Sequence, residues 1–385
     1  MALNLDANAG WNLLPEVKEF ITQLLGTFTN PSSIHSGGQR AKAIIECARD
    51  EVGALLGLGK GDRVLFTSGA TEANNAVFNT LSQSSAGEDG HLVVSALEHP
   101  SVLEPAMTLA RTGWRLTLLP PGSSGEFDCA SALESIKPDT KLASIMWVNN
   151  ETGRINPIPE ICREIKIRSP GVLMHSDAVQ AVGRMKIDFQ GSELDYLTIS
   201  GHKLGGLAGV GALIVREGAT MSPLLAGGPQ ERHLRAGTEN VLGIASLGRA
   251  ARIAAERSEK RSARANAARA AILESLKAGV PYELNTDLDR SVPNTLNIYL
   301  PGVFADDLVV AADLEGVPIS SGAACSSGKP EPSHVLLGLG YPRERARSSI
   351  RISFEPDTSI RELELGAGII VKCVKRLREF RNIHA

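Results

Sequence analysis

Cysteine is scarce in this chain, and the five present, Cys47, Cys129, Cys162, Cys325 and Cys373, are odd in number and share no CxxC spacing. That pattern excludes a stapled disulfide framework and a zinc site of paired cysteines, and it leaves room for a free working thiol. Long apolar runs are missing too: nothing approaches the roughly 18 consecutive residues of a membrane span. The opening Met-Ala-Leu-Asn-Leu-Asp-Ala-Asn lacks the basic-then-apolar order of a signal peptide, so no membrane partner and a cytoplasmic location are expected. Neither charge sign dominates. Forty Lys and Arg against 43 Asp and Glu leave a net charge of -3, which supplies no basic field for nucleic acid. A GxGxxG after an early strand is also absent, since the glycines of Gly57-Leu-Gly-Lys-Gly61 precede the first strong strand; this argues against a dinucleotide-binding dehydrogenase. There is no internal repeat and no low-complexity segment.

What is present is ordinary for a globular protein: 43% hydrophobic and 22% charged residues. At 385 residues the chain exceeds the roughly 250–300 residues at which single cores stop growing, so one large and one small domain are expected. Seven short apolar runs alternate with helical stretches, at 63–67, 91–95, 115–119, 142–148, 171–175, 196–200 and 210–215. They predict an α/β layered sheet whose strands are buried on both faces beneath helices. Residues 243 to 278 are rich in Ala, Arg, Glu and Leu and free of proline, which suits a connecting helix, with the domain change near 255. Two further strand candidates, 294–300 and 350–354, and a C-terminal helix from about Ser359 suit a smaller α+β domain.

The chemistry is concentrated at strand ends. In Ser200-Gly-His-Lys203 an apolar run stops on a lysine among small and polar residues, the setting in which a desolvated amine can hold a carbonyl. Ser200 and His202 offer phosphate ligands beside it; the alternative is a lysine in a glycine-rich surface turn. Thr67-Ser-Gly-Ala-Thr-Glu72 follows a strand and opens a helix, so N–H groups around Ala70 and Thr71 would face a phosphate, unless the segment is only a capping box. Asp177 ends another apolar run about 25 residues before Lys203, where a carboxylate can hold a pyridinium proton or simply cap a helix. Gln180, three residues on, shares its face if a helix starts there. His99 stands at a strand's carboxyl end, where a flat imidazole can stack and shuttle protons. Asn150, in the glycine-closed turn 148–153, is a candidate contact for cofactor or substrate, and Arg351 for a substrate carboxylate. Cys325 lies among small flexible residues with no apolar neighbours to bury it, so it reads as an exposed, mobile nucleophile. Cys47, Cys162 and Cys373 read as buried small hydrophobes, and Cys129 has no evident role.

Taken in order, Ser-Gly-Ala-Thr-Glu (68–72), Glu-His-Pro-Ser-Val (98–102), Val-Asn-Asn-Glu-Thr-Gly (148–153), Ser-Asp-Ala-Val-Gln (176–180), Ser-Gly-His-Lys (200–203), Arg-Ala-Gly-Thr-Glu-Asn (235–240), Ser-Ser-Gly-Ala-Ala-Cys (320–325) and Ser-Ser-Ile-Arg (348–351) resemble the cysteine desulfurases. These are class V aminotransferase-like enzymes that use pyridoxal 5'-phosphate, and the similarity runs from about residue 4 to 375. The resemblance implies fold type I: a large domain (14–255) with a mostly parallel seven-stranded sheet sandwiched by helices, and a smaller α+β domain (1–13 and 256–385) carrying the cysteine loop. It implies that Lys203 binds the cofactor covalently, Asp177 pairs with the ring nitrogen, Gln180 with the phenolic oxygen, and His99 stacks on the ring. Ala70, Thr71, Ser200 and His202 would hold the phosphate, with Thr238 reaching the neighbouring subunit of a homodimer. L-Cysteine would become L-alanine, its sulfur leaving as a persulfide on Cys325 for an iron-sulfur scaffold or another acceptor protein.

The chain departs from the family pattern in two places. The usual Asp-x-x-Ala-Thr-Thr-Pro reads Asp6-Ala-Asn-Ala-Gly-Trp-Asn-Leu-Leu-Pro15 here, altering a segment near the substrate entrance. The sequence also stops soon after the last helix, which implies a specialised acceptor. Two alternatives stay open: a selenocysteine lyase or other class V aminotransferase, and a catalytically weak sulfur-relay subunit. An intact Lys203, Asp177 and Cys325 argue against the second.

Overall fold

Apolar five-residue runs form strands here because a sheet covered on both faces buries every position. In the computed structural model, residues 3–26, 29–84, 90–122, 125–285, 287–322 and 331–384 are described. Helices α1 (Pro15–Leu24) and α2 (Ser36–Leu56) lead into β1 (Arg63–Thr67) and α3 (Ala70–Ser84). Then come β2 (His91–Ser95), α4 (Pro100–Arg111), β3 (Arg115–Leu119), α5 (Cys129–Ser135), β4 (Thr140–Ser144), α6 (Ile158–Arg168), β5 (Leu173–Asp177), β6 (Tyr196–Ser200) and β7 (Gly211–Val215). The long α7 (Val241–Lys277) follows, then β8 (Glu283–Leu284), β9 (Thr295–Tyr299), α8 (Ala305–Leu314), α9 (His334–Gly338), α10 (Arg343–Arg347), β10 (Ser349–Ser353) and α11 (Ile360–His384).

The large sheet has the order β1-β7-β6-β5-β4-β2-β3, in which β7 runs antiparallel to both neighbours and the other pairs are parallel. This is the expected mostly parallel seven-stranded sheet. Strands β2, β6 and β7 are buried at all five positions, whereas the edge strand β3 is exposed at Arg115 and Leu118. The expected strand 142–148 ends early, at Ser144: Ile145 and Trp147 still bond β5, but the Met146 N–H on the other side goes to the Glu98 carboxyl at 2.5 Å. No helix starts after Asp177; residues 178–183 form turns, so Gln180 owes its direction to turn geometry. Cys162 and Cys373 are buried as expected, but Cys47 is exposed, on the solvent side of α2 two residues beyond buried Ile45.

The second sheet, β10-β9-β8, is antiparallel and packs with Ala265, Ala268, Ile272 and Leu276 of α7 and Leu363, Ala367 and Ile370 of α11 in a separate core. Two strips of chain tie it to the large sheet. Leu5 lies in the small core and Asp6 bridges Ser353 on β10, while Leu14, Val17 and Ile21 enter the large core. The turn 149–153 docks on β9: Asn297 donates to the Glu151 carbonyl at 3.2 Å, and a Cβ on Gly153, which has a φ of +73°, would lie 2.9 Å from Thr295.

A buried ion pair fixes the segment that leads to Thr238. The Glu231 carboxylate receives Arg49 of α2 at 2.8 Å and the Phe66 N–H of β1 at 3.0 Å, and Arg49 also reaches the Val64 carbonyl. Removing the acid leaves Arg49 only Glu46 and the Val64 carbonyl and strips a buried strand N–H of its acceptor, so Glu231→Ala is expected to lower the unfolding free energy by about 3 kcal/mol. Urea denaturation near neutral pH measures this, and an unchanged midpoint would contradict it.

Candidate active site

In an open α/β sheet, side chains gather where parallel strands end. Here β1 delivers Ser68 to Thr71, β2 His99, β5 Asp177 and β6 Ser200 to Lys203 at that edge, and because β7 is reversed, Gly209 enters from the same side. These residues line one cavity of about 730 Å3, together with Asn8, Asn150, Glu151, Gln180 and Arg351. That volume lies within the range of about 300–1,000 Å3 typical of small-molecule sites.

Lys203 leaves β6 in a single turn of 3-10 helix, Gly201–Lys203. Its Nζ donates to the backbone carbonyls of Asn8 at 2.5 Å and Ala9 at 2.7 Å. Gln180 donates to the same Asn8 carbonyl at 3.0 Å, while its Oε1 is buried with no hydrogen-bond partner among the described residues. The atypical N-terminal segment thus forms one wall of the site. Its Trp11 is buried between the guanidinium groups of Arg184 at 5.1 Å and Arg261 at 5.6 Å, so the aromatic that stands in the altered motif is held by cation–π contacts.

A hydrogen-bond chain joins the carboxylate to the imidazole. Asn74 of α3 donates from Nδ2 to Asp177 Oδ2 and to Ser101 Oγ, each at 2.9 Å. The Ser101 N–H donates to His99 Nδ1 at 3.1 Å, which makes that nitrogen an acceptor, so the Ser101 hydroxyl at 2.8 Å donates to it as well. A ring nitrogen that accepts twice carries no proton, so neutral His99 is protonated at Nε2. Burial lowers the His99 pKa, and Lys203 and His334 lower it further against the opposing pull of Asp177. Asp177 is fixed independently: its Oδ1 accepts the Val179 N–H at 3.0 Å, an Asx turn rather than a helix cap.

At the α3 N-terminus, an ideal Cβ on Gly69 would meet nothing within 4 Å, so the first helical N–H groups border open space. Across the sheet, a Cβ on Gly211 would lie 2.7 Å from the Gly69 backbone, which is why β7 needs glycine there. Glu72 does form the capping contact, accepting the Ser68 N–H at 2.8 Å, and also pairs with Arg235 at 2.9 Å. Burial would raise its pKa, but the Arg235 and Ser68 bonds win and hold it low. Ser200 Oγ lies 3.0 Å from His202 Nδ1, and burial, reinforced by Lys203, pulls the His202 pKa down to about 4, so this ring is neutral near pH 7. The ensemble can seat a flat anionic cofactor: donors at a helix N-terminus, a carboxylate, an amine and an imidazole.

The small sheet supplies the remaining wall. Arg351 of β10 pairs with Asp6 at 2.6 Å and donates to the Asn150 carbonyl at 3.1 Å, while its Nε is buried and has no hydrogen-bond partner among the described residues. Asn150 contributes that carbonyl and lines the cavity. Thr238 is exposed and does not line it. Cys325 lies outside the described residues. The residues just before and after the undescribed segment, Gly322 and then Glu331, Pro332 and His334, do border the cavity, with His334 bonding the Glu98 carbonyl at 3.1 Å.

Comparison with known proteins agrees with this geometry. Residues 3–365 match the family Aminotransferase class-V. The chain belongs to that family, among its cysteine desulfurases. It is 39% identical to the protein named cysteine desulfurase of Nostoc sp. (strain PCC 7120), covering 99% of this chain and 96% of that protein. It is 36% identical to the cysteine desulfurase IscS of Dictyoglomus turgidum, covering 97% and 95%. Among solved structures, a NifS-like protein superposes over 100% of both chains with a TM-score of 0.90 at 30% identity. The structure titled SspA in complex with cysteine covers 93% of this chain and 100% of its own with a TM-score of 0.81, also at 30% identity.

Sequence reasoning missed Asn74, Ser101, Glu151 and Asn8 as site members, although each lay inside or next to a segment it had singled out. The tautomer assignment can be checked directly. In 15N-resolved imidazole spectra at about pH 6.5, an ordinary histidine is half protonated; His99 is expected to be neutral with its proton on Nε2, and Ser101→Ala, which leaves only the backbone N–H on Nδ1, to keep that tautomer with a raised ring pKa. A mainly protonated wild-type ring would contradict the network.

Proposed function

We propose that the chain is a homodimeric, pyridoxal-phosphate-dependent cysteine desulfurase that converts L-cysteine to L-alanine and leaves the sulfur as a persulfide on Cys325. The observation that carries the reading is one cavity holding Lys203, Asp177, His99 and Arg351 together, in a chain whose full-length relatives bear that name. The residues present fit the cofactor: an unpartnered buried Gln180 Oε1, open space at Gly69 and a fixed carboxylate are features that an aliphatic packing site would not keep. Lys203 would bind it covalently. Ala70, Thr71, Ser200 and His202 would hold its phosphate, Asp177 its ring nitrogen and Gln180 its phenolic oxygen. When bound, pyridoxal phosphate supplies an electron sink for the amino acid's reacting carbons.

The chain's own groups do the rest. Lys203 must give up the Asn8 and Ala9 carbonyls to act, and these polar acceptors keep the amine positioned until then. His99, neutral and protonated at Nε2, can stack on the ring and exchange a proton there while Ser101 keeps Nδ1 occupied. Arg351 and Asn150 would receive the substrate. Cys325 takes the sulfur: an S–S bond forms as the substrate's C–S bond breaks, and the thiol proton is returned at carbon, giving L-alanine and Cys325 persulfide. SspA, a relative solved in complex with cysteine, supports that substrate.

A second copy would complete the site. A cavity of about 580 Å3 shares Thr71, His99, Pro100 and Ser101 with the active-site cavity, and an exposed Thr238 from a neighbouring subunit suits it. The division at about residue 255 gives the catalytic cysteine to the smaller domain, and a protein acceptor, such as an iron-sulfur scaffold, would draw the persulfide off. The reaction is assigned to the cytoplasm, where thiols are kept reduced; among the described residues no helix is long and apolar enough to cross a membrane.

Cofactor-loaded protein given L-cysteine and a thiol reductant is expected to release alanine and sulfide in equal amounts. Cys325→Ala should reduce that turnover at least about a hundredfold, and Lys203→Ala should also abolish the yellow absorption of the bound cofactor. Turnover that survives in the Cys325 variant would move the assignment to a lyase, and wild-type protein that takes up no cofactor would overturn it.

A further inference from the structure

Glu151 has no part in the desulfurase chemistry proposed for this chain, although it lines the same cavity as Arg351. It is 3% exposed. It sits at the tip of the turn held by Asn149, whose side-chain oxygen accepts the Glu151 N–H at 3.0 Å. From α9 the Ser333 hydroxyl donates to its Oε2, and from the other side a Cβ on Gly322 would lie 2.8 Å from that oxygen. From β9, Asn297 takes only its backbone carbonyl. The charged group that acts on the carboxyl, among the described residues, is Arg351 on β10.

The charges around Arg351 are already balanced before any substrate arrives. Asp6 neutralises Arg351 at 2.6 Å. Arg184, buried and held to Asn8 Oδ1 at 3.3 Å, feels Arg351 electrostatically and has no acidic partner among the described ion pairs. Burial lowers its pKa to about 9, which still leaves it cationic near pH 7. Arg351 therefore acts on both Asp6 and Glu151, and Arg184 stands as a second cation next to it. An incoming carboxylate makes a third acid against two bases, in a wall too buried to draw freely on solvent. The cluster returns to neutrality only if one acid takes a proton. Asp6 is committed to Arg351, whereas Glu151 makes a single side-chain hydrogen bond among the described residues, to a hydroxyl that favours the carboxylate yet can turn to accept from a neutral carboxyl.

We propose that the carboxylate of the incoming amino acid binds beside Arg351 together with a proton on Glu151, taken from solvent. This deepens the desulfurase reading and rests on it. Glu151 is then a proton-linked positioning residue, and the buried, unpartnered Nε of Arg351 is the donor that the new carboxylate finds. The Glu151 carboxyl is well placed to switch: burial pushes its pKa up to about 7 against the opposing Ser333 bond and Arg351. Below that pH Glu151 is neutral and the substrate carboxylate binds freely; above it, each binding event must also bind a proton, so affinity falls.

The test uses cofactor-loaded protein and butyrate, which has the substrate's carboxylate without its amine or thiol, followed by titration calorimetry. Affinity is expected to weaken roughly twentyfold between about pH 6.5 and about pH 8.5, as one obligatory proton demands, with nearly one proton taken up per butyrate at the upper pH. Glu151→Gln should bind with little pH dependence and no proton uptake. Ser333→Ala, which removes the bond favouring the charged form, should move the fall to higher pH. A flat wild-type profile, or a slope that persists in Glu151→Gln, would overturn the linkage. Arg351→Lys separates the two levels: unchanged butyrate affinity there defeats the carboxylate contact in the desulfurase reading itself, whereas lost affinity with a flat wild-type profile defeats only the role of Glu151.

Discussion

The site depends on the fixing of Asn8 between the two sheets. Its backbone carbonyl receives both Lys203 and Gln180. Its side chain donates to the Asn150 carbonyl and to Thr295 Oγ1, each at 3.0 Å, and accepts from Arg184. One residue therefore ties the end of β6, the turn after β5, the turn after β4 and strand β9 to a single point. It is buried, so each of these bonds forms in a low dielectric, where a broken partner is costly. Much of the polarity of this wall is paired internally, while Gln180 Oε1 and the Nε atoms of Arg184 and Arg351 have no hydrogen-bond partner among the described residues.

A second regularity is that burial, more than charge, decides the protonation states near the cavity. His99 and His202 are both driven toward the neutral form, and His175 behind Asp177 is driven to about 3 by burial alone. Glu98, beneath His99, is raised to about 8 by burial and by Asp177, so it too is mostly neutral near pH 7. The Lys203 amine, the Asp177 carboxyl and the guanidinium groups near Asn8 are the site's other ionisable groups. A ligand carrying a phosphate and a carboxylate thus meets few competing internal charges.

Much of this was legible in the sequence, for a physical reason. Strand ends in a parallel sheet announce themselves as apolar runs that stop on polar residues, and Lys203, Asp177, His99 and Thr71 all stand at such stops. The register of the runs was less secure: the 142–148 run leaves the ladder on one side, where Met146 bonds the side chain of Glu98 in the loop after β2. What could not be read were groups that act across the fold. Asn74 sits a full turn into α3, and its partner Asp177 is 103 residues away, with no local pattern to announce the pair. Cys47 was misjudged because a small thiol on an amphipathic helix carries little information about which face it occupies. The resemblance identified the family, but the role proposed for Glu151 emerges only when the charges around Arg351 are counted in space.

Helix α7 runs for 37 residues. At about 1.5 Å per residue it is roughly 55 Å long, and its first half packs in the large core while its second half packs in the small one. The two cores are thus joined by a shared beam instead of a string. Any change in their relative tilt must bend a hydrogen-bonded helix, braced midway by Arg257 to Glu16 and by Arg261 to Asp357 at 3.0 Å. Mechanically, the distance between the wall bearing Arg351 and the wall bearing Lys203 is set by the stiffness of a spring, and the active site is held near one width.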